Sequence, residues 1–342
     1  MSGNQLQQYW YVACRSSDLS RKKPLQVRLF GRSFALFRDQ NGIAAALEDR
    51  CVHRHAPLSA GRLCAGKVQC PYHGWEYDVQ GNVTSIPALG LTNTPPVGLA
   101  TGRFPTCEQD GLVWIVPGNE APPDLPRRIA TMEEAGWTRF IMKTRFRGTV
   151  EACLENFLDC PHATFVHRGW FRSATNLPVR AKVRTLIDGA VAEYFDEPRK
   201  KSVIWALFSP QRGEMQHTDR FIIPSTSQVD YIFPNGLRYN ITSCCSPVAE
   251  NEIEVYTVMS FRAWIPGFLV RLFFAPLSRW IIHQDVLMMD LVANNTKGNA
   301  TALMISTQAD LLGSLIWEWR SALADGREPP AVEQEHEVCF YL

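Results

Sequence analysis

Cys51-Val-His53-Arg54-His55-Ala56 and, with sixteen residues between His53 and Cys70, Cys70-Pro71-Tyr72-His73-Gly74-Trp75 decide how this chain is read. Each limb offers one thiolate and one imidazole. A Cys₂His₂ set with mixed limbs fits a Rieske-type [2Fe–2S] cluster, with two cysteines on one iron and two histidines on the other. Neutral imidazoles raise the reduction potential above that of an all-cysteine ferredoxin. Zinc also accepts Cys₂His₂, but its common pattern puts both cysteines in one limb and both histidines in the other. Pro71 and Gly74 suit a tight ligand loop whose amides can face cluster sulfurs. Arg54, His55 and Cys64 lie off the ligand spacing and read as loop or core residues.

Working outward, Gln26 to Asp49 reads as strands broken by a turn at Asp39-Gln-Asn-Gly42. A second turn falls near Asp78, Gly81 and Asn82, and Gly111-Leu-Val-Trp-Ile-Val116 reads as a buried strand. Residues 1–117 therefore form an all-β domain around the cluster loops. The proline-rich run Pro117 to Pro126 makes 118–130 a linker, and 131–342 a second domain. There the residues around Val150–His167 are expected to be helical. Strands are expected near Ser202–Ser209, Thr218–Ile223, Val229–Phe233, Arg238–Cys244 and Ile253–Arg262. In the last, Ile253, Val255, Thr257, Met259 and Phe261 take one face and Glu254, Tyr256, Ser260 and Arg262 the other, as in a half-buried strand. A stripe from Leu311 to Leu323 predicts a helix ending before Gly326. The expected class is α+β, an antiparallel sheet with helices.

The chain has 342 residues, 46% of them hydrophobic, and a net charge of +1, enough for two cores and without the basic excess of a nucleic-acid binder. Residues 1–13 carry no secretory pattern, and the ten cysteines form no framework, so reduced cytoplasmic thiols are expected. Trp264 to Ile282 is the most apolar stretch. Pro266, Pro276, Arg271 and Arg279 make it a poor transmembrane segment. A buried helical pair or a channel wall is expected there, with shallow membrane contact as the alternative.

A second motif lies in Glu155-Asn156-Phe-Leu-Asp159-Cys-Pro-His162-Ala-Thr-Phe-Val-His167. Asn156, Asp159 and His162 recur every three residues, on one side of a helix. His167 lies about 140° from His162 on an ideal helix. The two imidazoles can share a metal only if the helix ends or distorts, and Pro161 supplies a disturbance. Two histidines and one carboxylate make the facial triad of non-heme Fe(II) oxygenases. Asp285, an ionisable group in an apolar helical stretch, is the chosen carboxylate, with His283 and Asp290 as weaker candidates. Taken alone, the segment also reads as a helix with two hydrogen-bonded histidines.

Together these motifs resemble the oxygenase component of Rieske non-heme iron oxygenases. The resemblance extends from Trp10-Tyr-Val-Ala13 through Cys51-x-His53-x16-Cys70-x2-His73 and Asn156-x2-Asp159-x2-His162-x4-His167 to Gln284-Asp285. It is nearest the monooxygenase and demethylase branch, of dicamba and vanillate demethylase type. It implies a β-sandwich Rieske domain and a helix-grip catalytic domain. Cys51, His53, Cys70 and His73 would hold the cluster, and His162, His167 and Asp285 the mononuclear iron. It implies a head-to-tail homotrimer in which Asp159 bridges a neighbour's His73 to His162, and it makes Asp159 and Asn156 the candidate catalytic residues.

The resemblance also implies O₂ as cosubstrate. With no glycine-rich nucleotide fingerprint in the chain, NAD(P)H and flavin are assigned to a partner reductase or ferredoxin. Arg50, Arg54, Arg62 and Lys67 could dock such a partner, or simply form a solvated face. A Rieske electron carrier would need only the first domain. The expected substrate is a small apolar cyclic molecule, with Trp205, Phe208, Tyr231, Phe233, Tyr239 and Trp264 as candidate lining. An aromatic ether or amine that loses a methyl group is the alternative. Hydroxylation, demethylation, desaturation and ring closure are not separable by composition.

Overall fold

The structure is a computed structural model that describes all residues except 1–4, 91–93, 119–121, 171–175, 196, 198–214, 297–303 and 333. The chain divides into two compact units, residues 1–128 with 248–250, and 129–247 with 251–342.

The first unit is built on β1 (Tyr11–Arg15), β2 (Leu25–Leu29), β3 (Arg32–Arg38) and β4 (Ala44–Glu48). Next come β5 (Arg62–Cys64), β6 (Lys67–Gln69), β7 (Glu76–Tyr77) and β8 (Val83–Ser85), then β9 (Arg103–Phe104), β10 (Thr106–Gln109) and β11 (Leu112–Ile115). Three sheets result, in the orders β1-β11-β10, β2-β3-β4-β9 and β5-β6-β7-β8. β3 lies at the centre because both of its faces are apolar. Side chains alternate across a strand, so Phe34 and Leu36 enter one core with Tyr11, Val113 and Ile115. Ala35 and Phe37 enter a second with Leu58, Val68 and Tyr77, beneath the cluster loops. The hairpin turn forms as expected. Asp39 Oδ1 accepts from the amides of Asn41 and Ile43, and Gly42 takes a positive φ of 85°. Asp78 repeats the arrangement with Gln80, Asn82 and Gly81. The proline-rich segment belongs to this unit, where Trp10 Nε1 donates to Asp124 O and Gln109 Nε2 to Pro126 O.

The second unit is α+β. Its strands are β12 (Thr138–Arg147), β13 (Pro178–Leu186), β14 (Gly189–Phe195), β15 (Gln216–Ile222), β16 (Thr226–Ile232), β17 (Arg238–Ala249), β18 (Glu252–Arg262) and β19 (Glu335–Tyr341). They form one eight-stranded sheet in the order β12-β18-β17-β16-β15-β14-β13-β19, with antiparallel neighbours. The α-helices among the described residues are α1 (Ala130–Glu133), α2 (Val150–Leu158), α3 (His162–Phe165), α4 (Gly267–Asn295) and α5 (Gly313–Asp325). Thr149 caps α2 by accepting from Ala152 N at 3.2 Å, and α2 buries Val150, Cys153, Leu154 and Leu158. Gly326 ends α5 in the left-handed conformation, φ 66°.

Three expectations change. β18 is buried on both faces, because Tyr256 and Ser260 are each 0% exposed and Ser260 Oγ meets Thr131 Oγ1 of α1 at 2.9 Å. The apolar stretch from Trp264 is neither a buried pair nor wholly a channel wall. α4 runs unbroken through Pro276, burying Val270, Phe274, Ser278, Asp285 and Met289 while exposing Phe268, Leu272, Phe273 and Trp280. Pro276 is tolerated because the carbonyl it leaves unpaired, that of Leu272, lies on the exposed face and can be hydrated. The helix expected over Val150–His167 is two helices. The strand expected at Ser202–Ser209 lies outside the described residues.

Candidate metal centres

The two cluster loops fold alike. Cys51 N donates to Ala56 O and His55 N to Cys51 O; likewise Cys70 N donates to Trp75 O and Gly74 N to Cys70 O, all between 2.8 and 3.1 Å. The fifth residue of each loop is left-handed, His55 at φ 58° and Gly74 at φ 74°. A side chain at position 74 would also crowd Pro87, 3.2 Å from its Cβ. These turns hold two buried thiols, Cys51 and Cys70.

Tyr77 Oη accepts from Val52 N at 3.1 Å, which leaves its own proton for Cys51 Sγ at 3.0 Å. Burial pushes the Cys70 thiol up, and the amides of Tyr72 and His73 oppose that. The rings of His53 and His73 are 4.5 Å apart, and His53 stacks on Trp75 at 4.8 Å. His53 Nδ1 is buried without a hydrogen-bond partner. Burial, then His73 and Arg54, lower its pKa, which favours the neutral ring. A bare ring nitrogen beside a second imidazole and two thiols fits the Cys₂His₂ donor set of a Rieske cluster. Around the loops Arg50 pairs with Glu48 at 3.1 Å and Arg62 Nε donates to Gln69 at 2.6 Å, while Arg54 is exposed and Lys67 half-buried.

In the second unit α2 stops at Leu158, and Asp159 is extended at φ −93°, ψ 105°. Pro161 forces the stop, since its ring would meet the carbonyl four residues back and it keeps Cys160 out of helical backbone. α3 restarts at His162, and His167 falls just beyond it. With the helix broken, ligand atoms of His162, His167 and Asp285 lie within 4.8 Å of one another.

The Nδ1 atoms of both rings are occupied. That of His162 donates to the Asp159 carbonyl, and that of His167 donates to Gln284 Oε1 at 2.8 Å. The lone pairs are therefore on Nε2, which lies 3.7 Å (His162) and 3.1 Å (His167) from Asp285 Oδ1. That buried oxygen has no hydrogen-bond partner. Its closeness to His167 thus lacks hydrogen-bond geometry, and the three atoms converge on a common point as ligands of one cation would. Burial lowers the His167 pKa, but Asp285 and Gln284 outweigh it and the net shift is upward. An orphaned buried carboxylate oxygen and two imidazoles of the right tautomer fit Fe(II).

The other expected residues scatter. Asp159 faces the cavity beside this centre, and its Oδ1 is buried without a partner. Its carboxylate Oδ2 is 3.9 Å from His162 Nδ1, so its contact with that ring runs through the carbonyl. Burial and then Asp310 push the Asp159 carboxyl up to about 7, against the His162 amide. Asn156 is on α2, away from the cavity lining among the described residues, with Nδ2 buried and unbonded. His283 is exposed, and Asp290 lies 3.9 Å from Arg147. Tyr231 and Tyr239 line the cavity. Phe233 is packed in the core instead, and Trp264 is 86% exposed. Trp205 and Phe208 lie outside the described residues.

The cavity holds about 800 Å³ of empty space, part of it open to solvent. Met142, Phe157, Val229, Ile241, Met259, Ile281 and Ile282 make it apolar, and α4 contributes one wall. Its sheet wall carries a ladder absent from the motif reading. Tyr194, His217, Tyr231 and Tyr239 are cross-strand partners on β14, β15, β16 and β17. Their rings lie nearly parallel, His217 being 4.3 Å from both Tyr194 and Tyr231, and Tyr239 stacks on Phe261 at 4.5 Å.

His217 is also held edge-on, with Nδ1 3.2 Å from Glu197 and Nε2 3.0 Å from Asp219. Burial lowers its pKa, but Asp219 and Glu197 outweigh burial and push it up to about 9. Tyr194 Oη donates to Asp219 at 2.8 Å, and Cys160 Sγ lies 3.7 Å from Glu197.

Residues 9–96 match the Rieske [2Fe-2S] domain family, and residues 146–324 the vanillate O-demethylase oxygenase C-terminal domain family. The chain belongs to the Rieske non-heme iron oxygenases, in the branch that carries the vanillate O-demethylase type of C-terminal domain. Chlorophyllide a oxygenase of Oryza sativa subsp. japonica is 31% identical over 338 residues, 94% of this chain and 58% of that protein. The 4beta-methylsterol monooxygenase of Methylococcus capsulatus is 36% identical over 237 residues, 63% and 62% of the two chains. This chain thus spans less than two thirds of the length of these relatives. A crystal structure of dicamba monooxygenase bound to 3,6-dichlorosalicylic acid shares the fold, with a TM-score of 0.83 at 22% identity over 94% of this chain and 98% of that one.

Proposed function

We propose that this chain is the oxygenase component of a system that uses O₂ and externally supplied electrons to oxidise an apolar cyclic small molecule. The observation that carries this is the convergence of His162 Nε2, His167 Nε2 and Asp285 Oδ1 beside an apolar cavity. When bound, the cluster stores one electron and the mononuclear Fe(II) activates O₂ for attack on a C–H bond. Cys51, His53, Cys70 and His73 hold the first group, with Tyr77 tuning Cys51. His162, His167 and Asp285 hold the second, and Gln284 and the Asp159 carbonyl fix the imidazole tautomers. Met259, Ile281 and Ile282 seat the substrate and keep water out.

On this reading residues 1–117 serve electron storage, 118–130 connect, and 131–342 serve oxidation. Asp159 favours a homotrimer. Its buried, partnerless oxygen and raised pKa call for a donor from outside the chain, which an imidazole of a neighbouring copy, His73, would supply. Asn156 would support that contact. NAD(P)H and flavin act on a partner reductase or ferredoxin, docked by Arg50, Arg54, Arg62 and Lys67. Ten unbridged cysteines support a reducing cytoplasmic setting. Among the described residues no helix is long and apolar enough to cross a membrane, and the exposed face of α4 favours at most peripheral contact. Demethylation of an aromatic ether or amine is the second reading, favoured by the match over residues 146–324.

Metal analysis of anaerobically prepared protein tests the proposal. The expected content is three irons and two acid-labile sulfides per chain with a Rieske EPR signal. His167→Ala is expected to lose one iron and keep that signal. Wild-type protein saturating at two irons would reject the reading.

A further inference from the structure

We propose that Asp219 sets the substrate class of the cavity, accepting a hydrogen bond from a hydroxyl or amino group on an otherwise apolar ring system, so that ring carboxylates are excluded. The inference deepens the proposed function and rests on reading this cavity as the substrate site.

Three features carry it. First, Asp219 is fixed. It is 3% exposed and lines the cavity, and its two oxygens take His217 Nε2–H at 3.0 Å and Tyr194 Oη–H at 2.8 Å. His217 in turn is clamped between two rings and Glu197. A side chain held by two donors, one on each oxygen, offers its remaining lone pairs in a fixed direction, and a carboxylate has about four acceptor sites. Second, Asp219 is a buried carboxylate, and a buried negative charge is costly unless donors reach it. A donor on the substrate relieves that cost, whereas a substrate carboxylate adds to it. Third, Asp159 and Asp285 also face the cavity, and its described lining includes no lysine or arginine. Asp219 is close enough to contribute to the raised pKa of Asp159. An anion would therefore meet Asp159 and Asp219, with Asp285 committed to the iron, while the described cation of the lining, His217, is already held by Asp219 and Glu197; apolar rings find Val229, Tyr231 and Met259.

Equilibrium binding, without turnover, tests this on the holoenzyme under argon. Three probes of one shape are 4-cyclohexylphenol, 4-cyclohexylanisole and 4-cyclohexylbenzoate, followed by calorimetry. The phenol is expected to bind the wild type about tenfold or more tightly than either of the others, as a charge-assisted hydrogen bond requires. Asp219→Asn is expected to narrow the gap between phenol and benzoate to about threefold or less, in protein that still unfolds in one cooperative transition and keeps its Rieske spectrum. Equal binding of phenol and anisole by the wild type overturns the inference, as does benzoate binding best, no probe binding, or an unchanged ranking in a folded Asp219→Asn protein. If that variant does not fold, the wild-type ranking decides. Iron is assayed in the same samples. Donor selectivity in protein lacking a third iron would sink the oxygenase reading and keep this one; three irons without selectivity would do the reverse.

Discussion

His167 Nε2 lies 3.1 Å from Asp285 Oδ1, yet no hydrogen bond joins them, because the proton of the ring is on Nδ1 and committed to Gln284. A proton on Nε2 turns the contact into an ion pair, which is why, against burial, Asp285 shifts the His167 pKa upward; a divalent cation in the proton's place makes the residues a ligand set. Asp285→Asn should therefore bring the His167 pKa down and remove the stabilisation that Fe(II) gives the wild-type protein. Thermal unfolding with and without Fe(II) checks that loss.

Gln284 accepts from the far side of His167 and so fixes which nitrogen faces the site. Gln284→Leu keeps the volume and removes the acceptor. Iron affinity should fall roughly 10–100-fold, measured by competition with a chelator, while the Rieske absorption stays unchanged.

Tyr77 donates to Cys51 Sγ, and a hydrogen bond to a cluster sulfur stabilises the reduced, more negative state. Tyr77→Phe should lower the Rieske potential by some tens of millivolts with the cluster intact. Protein-film voltammetry gives the shift, and an unchanged potential would remove Tyr77 from that role.

Asp159→Asn keeps the size and carbonyl of the residue at the end of α2. Both metals should remain, and electron delivery under single-turnover conditions should slow by about 10-fold or more. A turnover rate equal to wild type would reject the bridge.

His217 has a folded pKa of about 9 against an ordinary 6.5. A base whose pKa is raised on folding lends stability that is complete below about 6.5 and is lost as pH climbs through 9. The wild-type unfolding temperature should therefore fall across that window. His217→Gln, which takes the imidazolium away from Glu197 and Asp219, should be less stable at pH 6 by about 3–5 kcal/mol and show a flatter dependence. Calorimetry from pH 6 to 9.5 measures both slopes.

What could be read beforehand depended on how local the signal was. The cluster motif is two short loops, so its spacing survives as sequence. Asp285 stood out because a carboxylate in an apolar helix needs a reason. Pro161 marked the break that lets His162 and His167 meet. β13 carried an alternation of Val179, Ala181 and Val183 that went unread between basic residues. β19 had none to read, since most of its residues are exposed. Glu197, His217 and Asp219 were invisible as a group, because their relation exists only after β14, β15 and β16 pair and bring rings into register. Tyr256 and Ser260 misled for the same reason, since a strand covered on both sides keeps polar side chains where a partner such as Thr131 meets them.

The stacked rungs from Tyr194 to Phe261 make the sheet wall a single mechanical object, in which enlarging or shrinking one ring displaces its neighbours on adjoining strands. The opposite wall has no such constraint, because Ile281 and Ile282 project separately from one helix. Retargeting this protein to new compounds, by selection or by design, should therefore proceed through the helix-borne isoleucines, with the aromatic column inherited unchanged.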